Sequence, residues 1–230
     1  MGCKCCERGR LKKKRNLEAY EMVTQILMIE EDIGERISHV VVMGIGEPFD
    51  NYDNLVKFLK IINHPKGLAI GARHITVSTC GIVPKIKEFS ELDLQINLAI
   101  SLHASNNELR NKIMPINKVY SLDVLIPSLK EYLEKTNRRI TFEYILLSGV
   151  NDTEENALEL ARLVKGINCY INLIPYNETN NIDFKRSSTI QIMKFYDILK
   201  KNSVNVTIRR EFGSKISAAC GQLRSKKEEV

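Results

Sequence analysis

Alternation constrains this chain more than any other feature. Short runs of β-branched and other apolar residues alternate, almost end to end, with helical stretches of mostly ten to fifteen residues. The runs are Ile37 to Met43, Ile75 to Ser78, Gln95 to Ser101, Ile140 to Leu147, Tyr170 to Ile174 and Val204 to Ile208. Between them, 3.6-residue periodicity predicts helices from Leu17 to about Ile33, with Asn16 as cap and Gly34 as stop, and over Tyr52 to Asn63, Val83 to Leu92, Asn106 to Lys112 and Leu122 to Lys135. Two more run from an Asp152 or Thr153 cap to about Lys165, stopped by Gly166, and from Thr189 to Lys200. Pro127 has to sit in a first turn or at a kink, because an interior proline removes a backbone hydrogen bond. Near-continuous apolar strands separated by helices argue for a parallel sheet buried on both faces. The expected fold is one α/β domain, an open or closed barrel, although a doubly wound sheet has the same local pattern.

Composition narrows the class. The 230 residues suit one large domain, and 43% apolar with 27% charged residues is ordinary for a folded protein. No apolar run reaches the length of a membrane span and no signal peptide opens the chain, so a soluble, cytoplasmic protein without a membrane partner is expected. In that reducing compartment the six cysteines are metal-binding or catalytic candidates rather than disulfides. The first fifteen residues hold seven basic side chains against Glu7, which accounts for the whole net charge of +6. Such a cluster suits a polyanion such as RNA, although a charge run alone is more often a solvated tail.

In parallel folds function gathers at the carboxyl ends of strands. Those ends offer Gly44, Gly46, Glu47 and Pro48, then Ser78, Thr79 and Gly81, then Ser101 and His103, then Ser148, Gly149, Asn151 and Asp152, and finally Pro175, Tyr176 and Asn177. Small, hydroxyl and amide groups on one rim would grip a polar cofactor, and Glu47 is well held there to bind an ammonium group. Each has an ordinary alternative: Gly44 and Gly46 as turn formers, Ser78 and Ser101 as strand-end satisfiers, His103 as a hydrogen-bonded structural histidine, Asn177 as a turn start. The Gly-x-Gly lacks the third glycine of a dinucleotide fingerprint. Cys3 and Cys6 have Cys-x-x-Cys spacing, with Cys5 between them, and could meet at a metal, an iron–sulfur group or a redox pair. Cys220 lies among small residues, which leave a thiol accessible as a nucleophile needs, although a buried, inert cysteine of the kind expected at Cys80 and Cys169 is its ordinary alternative.

Taken in order, these motifs resemble one family, the radical S-adenosylmethionine RNA methyltransferases of the RlmN type, with the Cfr type as near relative. The resemblance runs through Gly2-Cys3-Lys4-x-Cys6, Gly44-x-Gly46-Glu47-Pro48, Ser78-Thr79-x-Gly81, Ser101-Leu102-His103-Ala104, Met114-Pro115-Ile116-Asn117, Gly149-Val150-Asn151-Asp152, Ile174-Pro175-Tyr176-Asn177 and Ala219-Cys220-Gly221. It implies a partial (β/α) barrel lacking the first strand, with residues 1–230 a single core and the family's amino-terminal RNA-binding domain absent. Cys3 and Cys6 would be the second and third ligands of a [4Fe-4S] cluster, whose first cysteine would lie four positions before Cys3. Gly46 and Glu47 would hold the amino end of S-adenosylmethionine, and Ser78, Ser101, Leu102, His103 and Asn177 its ribose and adenine. Cys220 would carry the methyl group on its way to carbon 2 of adenosine in 23S rRNA and tRNA, by a radical route. Arg15 and its neighbouring lysines, with Arg209 and Arg210, would contact phosphate. The implied partners are RNA and an electron donor such as flavodoxin or ferredoxin, and the implied state is a monomer. A second reading is a non-catalytic relative that binds RNA or S-adenosylmethionine, and a zinc-binding structural protein ranks third.

Overall fold

The computed structural model describes residues 2–6, 13–44, 46–178 and 184–209. Its strands are β1 (Val40–Val42), β2 (Ile75–Thr79), β3 (Asn97–Ser101), β4 (Ile140–Leu146), β5 (Cys169–Pro175) and β6 (Val206–Ile208). The α-helices are α1 (Ala19–Ile33), α2 (Tyr52–Asn63), α3 (Val83–Ser90), α4 (Asn107–Ile113), α5 (Leu122–Thr136), α6 (Glu154–Leu163) and α7 (Thr189–Lys201). Adjacent strands all pair in parallel, and their order in space is their order in sequence. That order decides between the two expected architectures. A doubly wound sheet reverses direction at a switch point, whereas here every crossover steps to the next neighbour and returns over the same face. The result is the expected partial (β/α) barrel.

Register shows what each face does. Ile100, Phe142, Ile171 and Val206 form one row across neighbouring strands, and all are buried. Phe195 of α7 lies 5.3 Å from the Tyr144 ring on the same face, so this side carries the helices. The next row, Ser101, Glu143, Asn172 and Thr207, faces the other way. On that concave side Thr141, Ile145, Tyr170, Asn172 and Ile174 are only half-buried. Burial on both faces, expected from the apolar runs, is therefore only partial: on the concave face Ser78, Ala99 and Glu143 are buried while the residues named above are not. Helices cover a single side, and the other lines the hollow of the barrel.

Most element bounds follow the sequence signals closely, and the differences have local causes. α1 begins at Ala19, not after Asn16, because Glu21 reaches back to the Glu18 N–H at 2.7 Å and forms a capping arrangement there. Asn16 instead donates to the Asp50 carbonyl at 3.3 Å. Thr153 caps α6, exchanging bonds with Asn156. Pro127 lies inside α5 beyond its first turn, where the Asp123 carbonyl loses its usual donor.

The core lies between the sheet and its helices, with Leu129, Leu160, Phe195 and Leu199 fully buried against Phe142, Tyr144 and Leu173. Phe195→Ala should cost about 3–5 kcal/mol through the cavity it opens beside Tyr144. Met193→Ala on the exposed side of the same helix should stay within about 0.5 kcal/mol. Urea midpoints of the two variants check the difference.

Candidate functional site

The site grows out of a general problem: where parallel strands end, their peptide groups run out of sheet partners. After β1 the chain turns through Gly46, at a φ of 99° that suits glycine, to Glu47. The Glu47 carboxylate accepts the Phe49 N–H at 3.1 Å through Oε1, opening the turn Pro48–Asn51. Its Oε2 accepts the Cys80 N–H at 2.8 Å, from the loop after β2. Glu47 is thus pinned by two backbone donors, more firmly than the flanking glycine and proline alone suggest, and the Cys80 thiol is a further side-chain partner.

The next link is Arg110 of α4, which is 0% exposed. Nη2 donates to the carbonyls of Cys80 at 2.7 Å and Ser101 at 3.3 Å, and Nε to that of Leu102 at 3.3 Å. Nη1 reaches Asn117 Oδ1 at 3.0 Å and the Tyr120 carbonyl at 3.3 Å. All five guanidinium donors are therefore used, and all on neutral acceptors. Gly81, at a φ of 101° that suits glycine, is also closely packed: a Cβ there would lie 3.1 Å from the Leu125 methyls, which would have to give by a few tenths of an ångström.

After β3, Leu102 and His103 both donate their N–H groups to the Glu143 carbonyl, at 3.0 and 3.2 Å. His103 adopts a φ of 58°, uncommon outside glycine. Asn151 holds it there by donating to its carbonyl at 2.8 Å, while also bonding Ile145 and Leu147. The Ile145 N–H donates to His103 Nδ1 at 3.1 Å, so Nδ1 carries no proton and the N–H of the neutral ring is at Nε2. Burial, helped by the Arg110 charge, pushes the His103 pKa down to about 3.

Cys3 and Cys6 stand on one turn, closed by the Cys6 N–H on the Cys3 carbonyl at 3.2 Å. Lys4 ties that turn to the end of α4 through the Ile113 carbonyl at 2.9 Å, and Cys3 and Cys5 pack against Cys80, Ile113 and Met114. Burial, with the neighbouring Cys6 next, raises the Cys3 thiol, and burial lifts Cys5 to about 12. Cys80 and Cys169 are buried as expected, the latter raised to about 11. Soft sulfur donors spaced on one turn fit an iron–sulfur group in kind. They would supply two ligands at most; among the described residues no set of three His, Cys, Asp or Glu side chains forms a metal site by itself.

The strand ends thus bring the Cys3–Cys6 turn, Glu47, the β2 end and the Ser101–His103 turn to one rim. Ser78 and Leu102 are buried, Ser101 and Asn177 half-buried, and Gly46 exposed. Cys220, Arg210 and, of the basic stretch, Arg8, Arg10 and Lys12 lie outside the described residues. A depression of about 450 Å³ lined by Arg73, His74, Asp93 and Gln95 lies at the amino ends of β2 and β3, opposite this rim. Sequence reasoning missed Arg110, although its position three before Ile113 on a helix is one where an apolar residue would be expected. It also undervalued Asn151, whose place just after a strand was a visible signal.

A singly wound parallel half-barrel with a Cys-x-x-Cys turn beside a Gly-Glu-Pro loop defines the class: a radical S-adenosylmethionine core. The comparisons agree. Residues 1–161 match the family described as the Radical SAM superfamily. A probable dual-specificity RNA methyltransferase RlmN of Spiroplasma citri is 57% identical, covering 100% of this chain and 67% of its own. The protein of the same description from Listeria welshimeri is 58% identical over 98% of this chain and 64% of its own. The crystal structure of a radical SAM methyltransferase from Sphaerobacter thermophilus superposes with a TM-score of 0.92 at 43% identity, covering 96% of this chain and 66% of that one. The chain belongs to the RlmN family of radical S-adenosylmethionine RNA methyltransferases, enzymes that use a [4Fe-4S] cluster and S-adenosylmethionine. It spans about two thirds of the length of these relatives.

His103 supplies a pH test. Its folded pKa lies below the unfolded value near 6.5, so the unfolded chain binds the extra proton first. Stability should therefore be full above about pH 6.5 and decline as pH falls toward about 3. In His103→Gln that part of the decline should disappear from denaturation midpoints, and nitrogen-15 spectra of the parent should show an Nε2–H tautomer at neutral pH.

Proposed function

We propose that this chain is the catalytic core of an RNA methyltransferase acting on carbon 2 of adenosine, in 23S rRNA and in tRNA. The observation that carries the reading is the juxtaposition of the Cys3–Cys6 turn, Glu47 and the β2–β3 rim at one mouth. Cys3 and Cys6 would hold the cluster. When bound, the cluster and S-adenosylmethionine supply one-electron chemistry, which an adenine carbon too poor in electrons for direct methyl transfer needs. Glu47 would accept hydrogen bonds from the cofactor's ammonium group with its remaining lone pairs, and its two backbone bonds keep the carboxylate from turning away. Ser78, Ser101, Leu102, His103 and Asn177 would surround the ribose and adenine, where the neutral His103 offers an Nε2–H without adding a second positive charge. Cys220 would carry the methyl group to the base.

RNA as substrate class is supported by the relatives' descriptions as RNA methyltransferases. The exposed Arg209, just after β6, is a fitting phosphate contact. Arg15 is engaged with Glu21 at 2.7 and 2.5 Å, an exposed pair that a phosphate could exchange into. The same reading treats residues 1–230 as one core domain, monomeric, cytoplasmic and reduced by a flavodoxin- or ferredoxin-type donor. No helix among the described residues is long and apolar enough to cross a membrane.

Anaerobic reconstitution with iron and sulfide tests the metal site. Cys3→Ala and Cys6→Ala should each lose the iron–sulfur absorbance, while Cys5→Ala keeps it. Cys220→Ala should transfer no methyl group to RNA yet still cleave S-adenosylmethionine; loss of cleavage would refute its assigned role.

A further inference from the structure

Glu143 is a buried carboxylate with no part in the assignments above. It stands in the concave row with Ser101, Asn172 and Thr207 and is only 5% exposed. Its Oε2 accepts the Asn172 amide at 2.9 Å. Among the described residues neither Glu143 Oε1 nor Asn172 Oδ1 receives a donor. Buried acceptors are ordinarily satisfied, because an unpaired one keeps its full desolvation penalty. Glu143 makes no salt bridge among the described residues either: burial raises its pKa, and the Asn172 bond and the charge of the exposed Arg209 pull it back.

Position and chemistry together indicate the missing donor. β3 ends at Ser101, while β4 and β5 run on past Glu143 and Asn172 to Leu146 and Pro175. The pair therefore sits on the wall of the hollow, at the flank of the Ser101–His103 turn. That turn hangs on the Glu143 carbonyl, which accepts the Leu102 and His103 N–H groups. A base that receives a group from a cofactor held at the turn has to lie against this wall. A carboxylate oxygen and an amide oxygen side by side suit a group with two hydrogens to give, and the exocyclic amino group of adenine is one. A purine with oxygen at the same position would bring a third acceptor to the pair.

Resting on the RNA methyltransferase reading above, we infer that Glu143 and Asn172 are specificity-determining residues that accept the two amino hydrogens of the target adenine in RNA. Unstacked and flipped-out bases are commonly read in this way, by hydrogen bonds to their edges. A base without the amino group leaves both acceptors unpaired, and the discrimination arises there.

The test is the affinity of the 230-residue chain for a short RNA hairpin with a G·C stem and one adenosine in its loop. It is compared with the same hairpin carrying purine riboside, which lacks the amino group, at that position. The parent should prefer adenosine at least about tenfold. Glu143→Leu should bind the two hairpins alike, with the loss confined to the adenosine form. Should Glu143→Leu fail to fold, Glu143→Gln keeps the shape and, with a weaker neutral acceptor, should narrow the preference. A merely structural role would lower the melting temperature or weaken both hairpins equally. A preference equal to the parent's in every variant that folds, or no preference in the parent, overturns the proposal. So does a loss that appears in S-adenosylhomocysteine binding while the RNA preference stays, since the pair would then read the cofactor's own adenine. Failure of the parent to bind either hairpin would instead sink the RNA reading, and the proposal with it.

Discussion

The rim depends on one constraint: every parallel strand that ends at the mouth leaves peptide groups without a sheet partner, and these have to be satisfied where a ligand must still enter. Water would serve, but water at the mouth competes with the ligand. The chain uses side chains instead. Glu47 takes the Cys80 N–H, Arg110 takes the carbonyls of Cys80, Ser101 and Leu102, and Asn151 takes that of His103. The bonds run from strand to strand, so the loops after β1, β2, β3 and β4 are joined into one frame. Buried hydrogen-bonded networks of this kind are costly to leave half made, which favours a single geometry at the rim.

The same economy separates the two faces of the sheet. Helices pack on one side, where rows such as Ile100–Phe142–Ile171–Val206 supply apolar area and most of the folding energy. The concave side is left to residues such as Ser101, Asn172 and Thr207, with the buried Glu143 among them accepting the Asn172 amide at 2.9 Å. A stable fold and a polar hollow thus come from the same strands, read on alternate residues. The period-2 geometry makes this division unavoidable once the helices are all on one side.

The alternation of runs made the parallel sheet legible in the sequence, and the caps and glycines made most helix bounds legible too; Tyr52–Asn63 is reproduced as expected. What could not be read was which side each crossover takes, because winding is a property of strand order and not of local periodicity. That is why a half-polar face was mistaken for a buried one. At the site, Glu47 and His103 could be singled out because they stand at strand ends. Arg110 could not, because a basic residue in a short helix reads as solvent-facing unless the partner strands are known. Its five acceptors are supplied by residues 7–30 positions away in sequence.

Charge at the mouth follows a consistent sign. Burial alone raises the Cys3 thiol and lowers His103, favouring the neutral form of each. The Arg110 cation breaks that symmetry: it opposes a second positive charge on the ring and favours a negative one on sulfur. A metal bound by the thiols would act in the same direction, since coordination requires the deprotonated form. Opposite to this stands Glu47, a carboxylate held by the Phe49 and Cys80 N–H groups and by the Cys80 thiol, with no cation bound to it among the described residues. In the proposed reading, the place of an anionic metal group and that of an ammonium would thus fall within one hydrogen-bonded frame. A zwitterionic cofactor bridging the two can be oriented by charge before any contact to its nucleoside is made.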